Sequence, residues 1–296
     1  MAAMLEGAGN ASMGAASQRG RLPRGLAFAL ILPLGVLLAW VFVLPIATFL
    51  LRSITEPSLT TAHYLRLIEE PLYLRIILRT VWIAFATTVI ALLLGFPVAL
   101  LMARTRGVAR AIVTFCVVIP LWTSVLVRSY AWIVLLQRNG VVNIWLKDLG
   151  LIGQPLNMMH TEGAVLVAMS HVLMPFLILP VYATLKNIPD DLTRAALNLG
   201  AGRFRAFLSV TLPLSLPGVA AGCLMIFVLA LGFYITPALV GGPRTLMIAT
   251  LISQQATEVL NWPFAAALSA VLMVLSLGLT VVFRRLLGVE RLVGHD

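Results

Sequence analysis

RAALNLGAGRFRAFLSVTLPLSLPG, residues 194–218, is a polar interruption in an apolar chain. It holds Arg194, Arg203 and Arg205, the glycines Gly200, Gly202 and Gly218, and the prolines Pro213 and Pro217. Just upstream, Lys186-Asn187-Ile188-Pro189-Asp190-Asp191 has the composition of a helix start. Proline there forgoes no hydrogen bond, and acids suit the positive end of the helix dipole. Leu192, Ala195, Ala196 and Leu199 recur at i, i+3, i+4 and i+7, one apolar face of a short helix. Gly200-Ala201-Gly202 breaks it, and Phe204, Phe207 and Leu208 predict a second short helix. Two short helices cannot cross a bilayer, so 186–212 reads as a knob beneath one. Its small residues would let another backbone approach closely. The other reading is a helix pair that only caps the bundle.

The surroundings make a bilayer the natural setting. Of the 296 residues, 60% are hydrophobic and 11% are charged, against about 25% charged in ordinary soluble domains. The mean hydropathy is +1.01. Six runs stand out, at 26–51, 80–103, 111–136, 163–185, 213–240 and 264–283, and none contains Asp or Glu. Each is long enough, as helix, to cross a hydrocarbon core of about 30 Å. Lipid forces the backbone to satisfy its own hydrogen bonds, so the expectation is an all-α membrane protein with six transmembrane helices. Pro33, Pro45, Pro97, Pro120, Pro175, Pro180, Pro217 and Pro237 fall inside the runs and predict kinks. Cys116 and Cys223 also lie within runs and read as small hydrophobes, without disulfide or zinc spacing.

The net charge of +10 follows topology rather than a nucleic-acid footprint. With both termini cytoplasmic, thirteen of the 21 Lys and Arg residues fall on inside segments and seven on outside ones, with Arg128 inside a run. That is the positive-inside bias. Residues 1–25, rich in Ala, Gly and Ser, read as a flexible cytoplasmic tail, and 288–296 as a second one. The first run is too long for a cleavable signal, so a retained span is expected. Between the tails, 26–287 reads as a single transmembrane domain.

Among the outside loops, 52–79 is expected to hold short surface helices. In 137–162, Val142, Ile144, Trp145, Leu146 and Leu149 fit either an interfacial helix or an ordered loop. The third, 241–263, carries the turn-forming GGPRT and the polar Ser253, Gln254 and Gln255.

Residues 194–218 resemble the cytoplasmic EAA signature of binding-protein-dependent ABC importer permeases. Ala195 and Ala196 match its alanines, Gly200 its glycine, and Leu212-Pro213 its Leu-Pro; Arg194 stands where the family has Glu. IPLWTSVLVRSYAWIVLL (119–136), the 139–152 loop, MPFLILPVYATL (174–185) and NWPFAAALS (261–269) resemble the branch that includes spermidine/putrescine importers. The likeness covers 25–287.

The resemblance implies a type I (MetI-like) half-channel in a bacterial inner membrane. A second permease, two ATPase subunits and an external solute-binding protein would complete the importer. Leu192, Arg194, Ala195, Ala196, Leu199, Gly200, Ala201, Leu212 and Pro213 would then form the ATPase-docking region. The branch points to a polyamine, and an amino-acid-like or other organic solute is the alternative.

The chain contains no G-x-x-x-x-G-K-[ST] phosphate loop, so any ATP hydrolysis belongs to another subunit, and no cofactor is expected. His63, His160, His171 and His295 lack metal-ligand spacing. Arg128, the one charge within a run, would cost about 2.5–3.5 kcal/mol at a helix centre. Lining a pathway and snorkelling outward are its two readings. Trp122, Tyr130 and Trp132 read as belt aromatics or as a ligand cage, and Phe233 and Tyr234 as packed or water-facing. A stand-alone secondary transporter or channel, the competing class, usually needs ionisable residues in its spans. A lone Arg with no acid is poor equipment for that. A membrane scaffold would leave the 194–218 segment unaccounted for.

Overall fold

The computed structural model describes residues 32–56 and 58–286. The two expected tails, with Arg19, Arg21, Arg24 and Arg291, lie outside the described residues, as do Pro57 and the start of the first run. Every regular element among the described residues is helical.

The chain divides into two compact units, Met1–Leu51 and Arg52–Asp296. Helix α1 spans Leu32–Thr55 and contains a π-helical stretch at Ala39–Val43. In the second unit, α2 (Ala62–Glu69) precedes α3 (Pro71–Arg104). Helix α3 has 34 residues, about 51 Å at 1.5 Å per residue. It begins at Pro71, where the sequence predicted loop up to 79. Pro71 suits the first helical turn because its missing N–H would have no partner there. Arg75 and Arg79 in the opening turns depress the local hydropathy and mask this start. The buried residues Ile76, Thr80, Ile83, Thr87, Ala91, Gly95, Ala99 and Met102 recur every three or four positions, a single face turned to the core.

The run 111–136 is not one straight helix. It divides into α4 (Gly107–Trp122) and α5 (Val125–Leu136), and Gly107–Trp122 makes an angle of 103° with the whole segment Val125–Asp148. Pro120 weakens the last turn of α4, and Ser124 caps α5 by accepting from the Leu126 N–H at 3.3 Å. After α5 comes α6 (Val141–Asp148), so the second outside loop holds a short helix. The run 163–185 is α7 (Glu162–Leu173) and α8 (Pro175–Lys186), bent by 45° at a proline that cannot donate to the preceding turn.

Helix α9 (Asp190–Asn198) starts where expected. The predicted second short helix does not exist as a separate element. Residues 203–211 are instead the first turns of α10 (Arg203–Leu231), 29 residues long. A π-helical stretch at Phe207–Thr211 allows this continuity. There the Leu212 N–H bonds to the Phe207 carbonyl, shifting the ladder by one residue just before Pro213, which has no N–H to offer. The run 213–240 also ends early: the chain leaves helix at Gly232–Tyr234 and resumes as α11 (Ile235–Val240). GGPRT forms a single 3₁₀ turn at Pro243–Thr245. Ser253, Gln254 and Gln255 lie on α12 (Ile248–Thr257), and α13 (Trp262–Leu286) completes the fold.

Among the described residues, four helices are long and apolar enough to cross a membrane, and up to six spans result if each bent pair counts as one. Leu93, Phe115 and Leu277 lie exposed on them, as lipid contact requires and water would not favour. This is an all-α membrane fold.

Helix α8 lies between α3 and α10. Leu177, Ile178 and Val181 are buried there with Met169, Leu173, Ile226 and Leu231. Glycines set the spacing. A Cβ on Gly218 would meet Thr184 Cβ at 2.7 Å and the Pro180 carbonyl at 2.8 Å, and one on Gly222 would meet Leu177 Cα at 3.1 Å. From α3, a Cβ on Gly95 would lie 3.2 Å from Ile178 Cγ1. With no hydrophobic effect between helices in lipid, such close backbone approach is what holds a bundle together. A second cluster packs Tyr73, Ile76, Ile248, Phe264 and Leu268. Arg66 sits 5.0 Å over the Phe264 ring. Its bond to Glu70 holds the guanidinium pKa above its ordinary value.

Candidate functional site

Helix α9 is built by local rules at both ends. Pro189 is its N-cap in extended conformation, and Asp190 and Asp191 occupy the first turn. At the other end Gly200 takes φ +85. Its N–H donates to the Leu197 carbonyl at 3.0 Å, and that of Ala201 to the Ala196 carbonyl at 3.1 Å. The pair of bonds is a Schellman turn, which needs a left-handed residue that only glycine adopts freely. Gly200 therefore has a conformational duty; among the described residues nothing lies within 4 Å of its Cβ direction.

No residue of α9 is buried. Leu192 is 46% exposed and Leu199 is 89% exposed. Ala195 is exposed and Ala196 half-buried. The apolar face read from the sequence thus exists, and it faces out of the chain. Arg194 instead lines a cleft behind the helix, with Thr193 and Leu197. Leu212 and Pro213 stand in α10, beyond the π-helical stretch, and are not part of the α9 knob.

The residues that the sequence offered for a pathway separate into two groups. Arg128 Nη1 donates to the Val172 carbonyl at 3.1 Å, and Trp132 Nε1 donates to His171 Nδ1 at 3.3 Å. Ser129 and Thr236 share a hydrogen bond of 2.8 Å. Arg128 and Trp132 are thereby brought together where α5 meets the end of α7, with Tyr234 two residues from the Thr236 contact. The Arg128 Nε is buried and, among the described residues, has no partner. Trp122 and Tyr130 are not drawn in, being 88% and 57% exposed. Phe233 packs against the main core, and Tyr234 is half-exposed at the start of α11. Ser129, His171 and Thr236 were missed as partners in the sequence. Their one signal was a polar residue inside an apolar run.

Comparison with known proteins bears on the family and the fold. Residues 95–287 match the family of binding-protein-dependent transport system inner membrane components. Over 227 residues the chain is 35% identical to the spermidine/putrescine transport system permease PotB of Haemophilus influenzae, covering 77% of this chain and 79% of that one. It is 37% identical over 246 residues to the inner membrane ABC transporter permease YdcU of Escherichia coli K12, covering 78% of this chain and 77% of the relative. The fold matches a solved bacterial alginate ABC transporter in complex with its alginate pentasaccharide-bound periplasmic protein. There the TM-score is 0.73 at 19% identity, covering 88% of this chain and 93% of that one.

The chain belongs to the binding-protein-dependent inner membrane permeases. It is the permease component of an ABC importer, a transport subunit rather than a catalytic one.

Proposed function

We propose that this permease forms half of the translocation pathway of an ATP-driven importer, pairing with a second permease. An external binding protein delivers the solute, and α9 with the Gly200 turn docks on an ATPase subunit on the cytoplasmic side. Both termini are cytoplasmic in this reading, and 26–287 acts as the transmembrane domain between two tails. The observation that carries it is the exposed apolar face of α9, a short helix with no buried residue, where Leu192 is 46% and Leu199 89% exposed. A rigid knob can transmit ATP-driven closure only by contacting the motor differently in two states, and such a face provides the contact. Arg194 and Ala201 flank it, and Leu212 and Pro213 link its motion to α10. Co-purification of the ATPase tests the reading: Leu192→Asp with Leu199→Asp abolishes it while the permease stays in the membrane.

The solute is a small organic molecule, and the similarity to PotB supports a polyamine. Arg128 and Trp132, with Trp122, Tyr130, Phe233 and Tyr234, are the residues proposed for the pathway. A second reading, a carboxylate-bearing, amino-acid-like solute, is favoured by Arg128. In the described spans the acids are Asp148 and Glu162, each at the end of its helix, and Glu162 accepts from Trp82 Nε1 at 2.6 Å. Calorimetry on the cognate binding protein with spermidine, putrescine and amino acids separates the two.

A further inference from the structure

Four helix ends converge behind α9: the C-terminal ends of α3 and α8 and the N-terminal ends of α4 and α10. Between them opens a cleft of about 750 Å³. Arg104, Arg106, Arg110, Lys186, Arg194 and Arg203 line it, and Asp190 is the one acid on its wall. The Asp190 carboxylate lies 3.7 Å from Arg106 Nη2, with both side chains largely exposed. It therefore offsets at most a single charge. Arg110 Nε donates to the neutral Thr105 carbonyl at 2.8 Å.

Positive-inside topology places basic residues on this side but does not gather six around one concavity. Helix electrostatics explains two of them. Arg104 and Lys186 occupy last turns, where a cation complements the dipole. Three others stand on the wrong side of that rule. Arg106 is the N-cap of α4, Arg110 follows in its first turns, and Arg203 is the first residue of α10. The dipole raises the energy of a cation at each of these places. An anion entering the cleft would relieve that repulsion, and the partnerless N–H groups of the same first turns favour it as well.

The floor narrows the class of anion. Leu100, Leu185, Ile188, Ala206 and Phe207 make it apolar, and Phe207 is fixed edge-to-face on Phe96, with centroids 6.1 Å apart. Free phosphate would use the cations and leave the floor idle. A phospholipid uses both, with its phosphate among the guanidinium groups and its glycerol and first methylenes on the apolar floor.

We infer that the cleft binds an anionic phospholipid of the cytoplasmic leaflet, its phosphate held by Arg106, Arg110 and Arg203. Basic pockets between helices on that side are a recurrent solution for such headgroups. The leaflet assignment rests on the topology proposed above; the binding chemistry does not. Because Arg203 follows the Gly200 turn directly, a phosphate shared with Arg106 and Arg110 ties the start of α10, and through that turn α9, to the start of α4. The lipid would thus stiffen the lever through which the motor acts.

The test uses the importer purified with its ATPase in detergent. It is equilibrated with mixed micelles of phosphatidylcholine with or without phosphatidylglycerol, and the lipid retained per permease is counted by native mass spectrometry. Wild type retains phosphatidylglycerol over phosphatidylcholine, and retention falls as salt rises. Arg106→Gln with Arg110→Gln lowers retention by about tenfold or more, at roughly fivefold per cation, while Arg284→Gln with Arg285→Gln leaves it unchanged. Equal retention in the cleft variant overturns the inference. So does complete displacement of lipid by millimolar inorganic phosphate, which would define a free-phosphate site. If the cleft variant does not assemble, the wild-type arms decide: no preference for phosphatidylglycerol, or no salt dependence, is equally fatal. Lipid retention in detergent is independent of sidedness. Cysteine labelling at position 199 reports topology separately, so the two ideas fail by different observations.

Discussion

Arg128 Nη1 and the Val172 carbonyl, 44 positions apart in sequence, lie 3.1 Å from one another. The bond ties the second half of one broken run to the last turn before the break in another. A charge in a membrane helix is expensive, and the half-buried Arg128 meets a backbone acceptor with one nitrogen while its buried Nε has no partner among the described residues. A residue held in this way is poised to gain a partner when a solute or a change of conformation supplies one.

Arg128→Met separates insertion from transport. Removing the charge lowers the insertion cost by about 2.5–3.5 kcal/mol, so the amount of protein in the membrane holds or rises. Uptake of the native solute falls about tenfold or more, the scale of a charge-assisted hydrogen bond of about 1.5–3 kcal/mol. Quantitative blotting beside radiolabelled uptake checks both halves; normal uptake by the variant would remove Arg128 from the pathway.

Gly218→Val probes the packing of α8 on α10. Its side chain would run into Thr184 Cβ and the Pro180 carbonyl, which a Cβ alone would meet at 2.7 and 2.8 Å, and overpacking costs about 1–3 kcal/mol. Gly278→Val is the control, since among the described residues nothing lies within 4 Å of its Cβ direction. Thermal unfolding in detergent should show a lowered midpoint for the first variant and an unchanged one for the second.

At Gly200 the expected order of tolerance is Gly, then Asn, then Ala, then Val. The left-handed conformation costs a residue with a Cβ roughly 1–2 kcal/mol, and Asn tolerates it best among the alternatives. ATPase co-purification measured across the series follows that order if the turn matters through its backbone. A series ranked by side-chain size alone, with Asn worse than Ala, would mean that the partner's close approach dominates instead.

Trp82→Phe removes the donor to Glu162, a bond of 2.6 Å between α3 and the first turn of α7. The site is exposed, so the loss is about 0.5–1.5 kcal/mol in unfolding free energy. Transport at saturating solute stays near wild type. A large loss of uptake with unchanged stability would give this pair a functional role.

The apolar runs were legible because hydrophobicity is a bulk property that survives averaging over twenty residues. The start of α9 was also readable, since Pro189, Asp190 and Asp191 act through local rules at a helix end. The breaks were not. Apolar composition continues across Thr123–Ser124 and across Gly232–Tyr234, so nothing in hydropathy marks where the chain turns. The early start of α3 was hidden by Arg75 and Arg79, whose charges mimic a loop. In RFRAFLSV no residue stops a helix, and the N–H that Pro213 lacks is accommodated by one π-helical stretch. The Gly218-x-x-x-Gly222 spacing was present as a close-packing signal but was passed over beside the arginines. Of the site, the apolar face of α9 could be predicted from periodicity. The meeting of Ser129, His171, Val172 and Thr236 is tertiary, and spacing along the chain carries no trace of it.

The sidedness of α9 is the most direct measurement. A single cysteine at Leu199, which is 89% exposed, is introduced in a background with Cys116 and Cys223 replaced by Ala and treated with a membrane-impermeant maleimide. Labelling in inverted vesicles, suppressed when the ATPase is co-assembled, and none in intact spheroplasts is the predicted result. Labelling from the outside of spheroplasts would put the knob beyond the reach of any cytoplasmic motor and contradict the account.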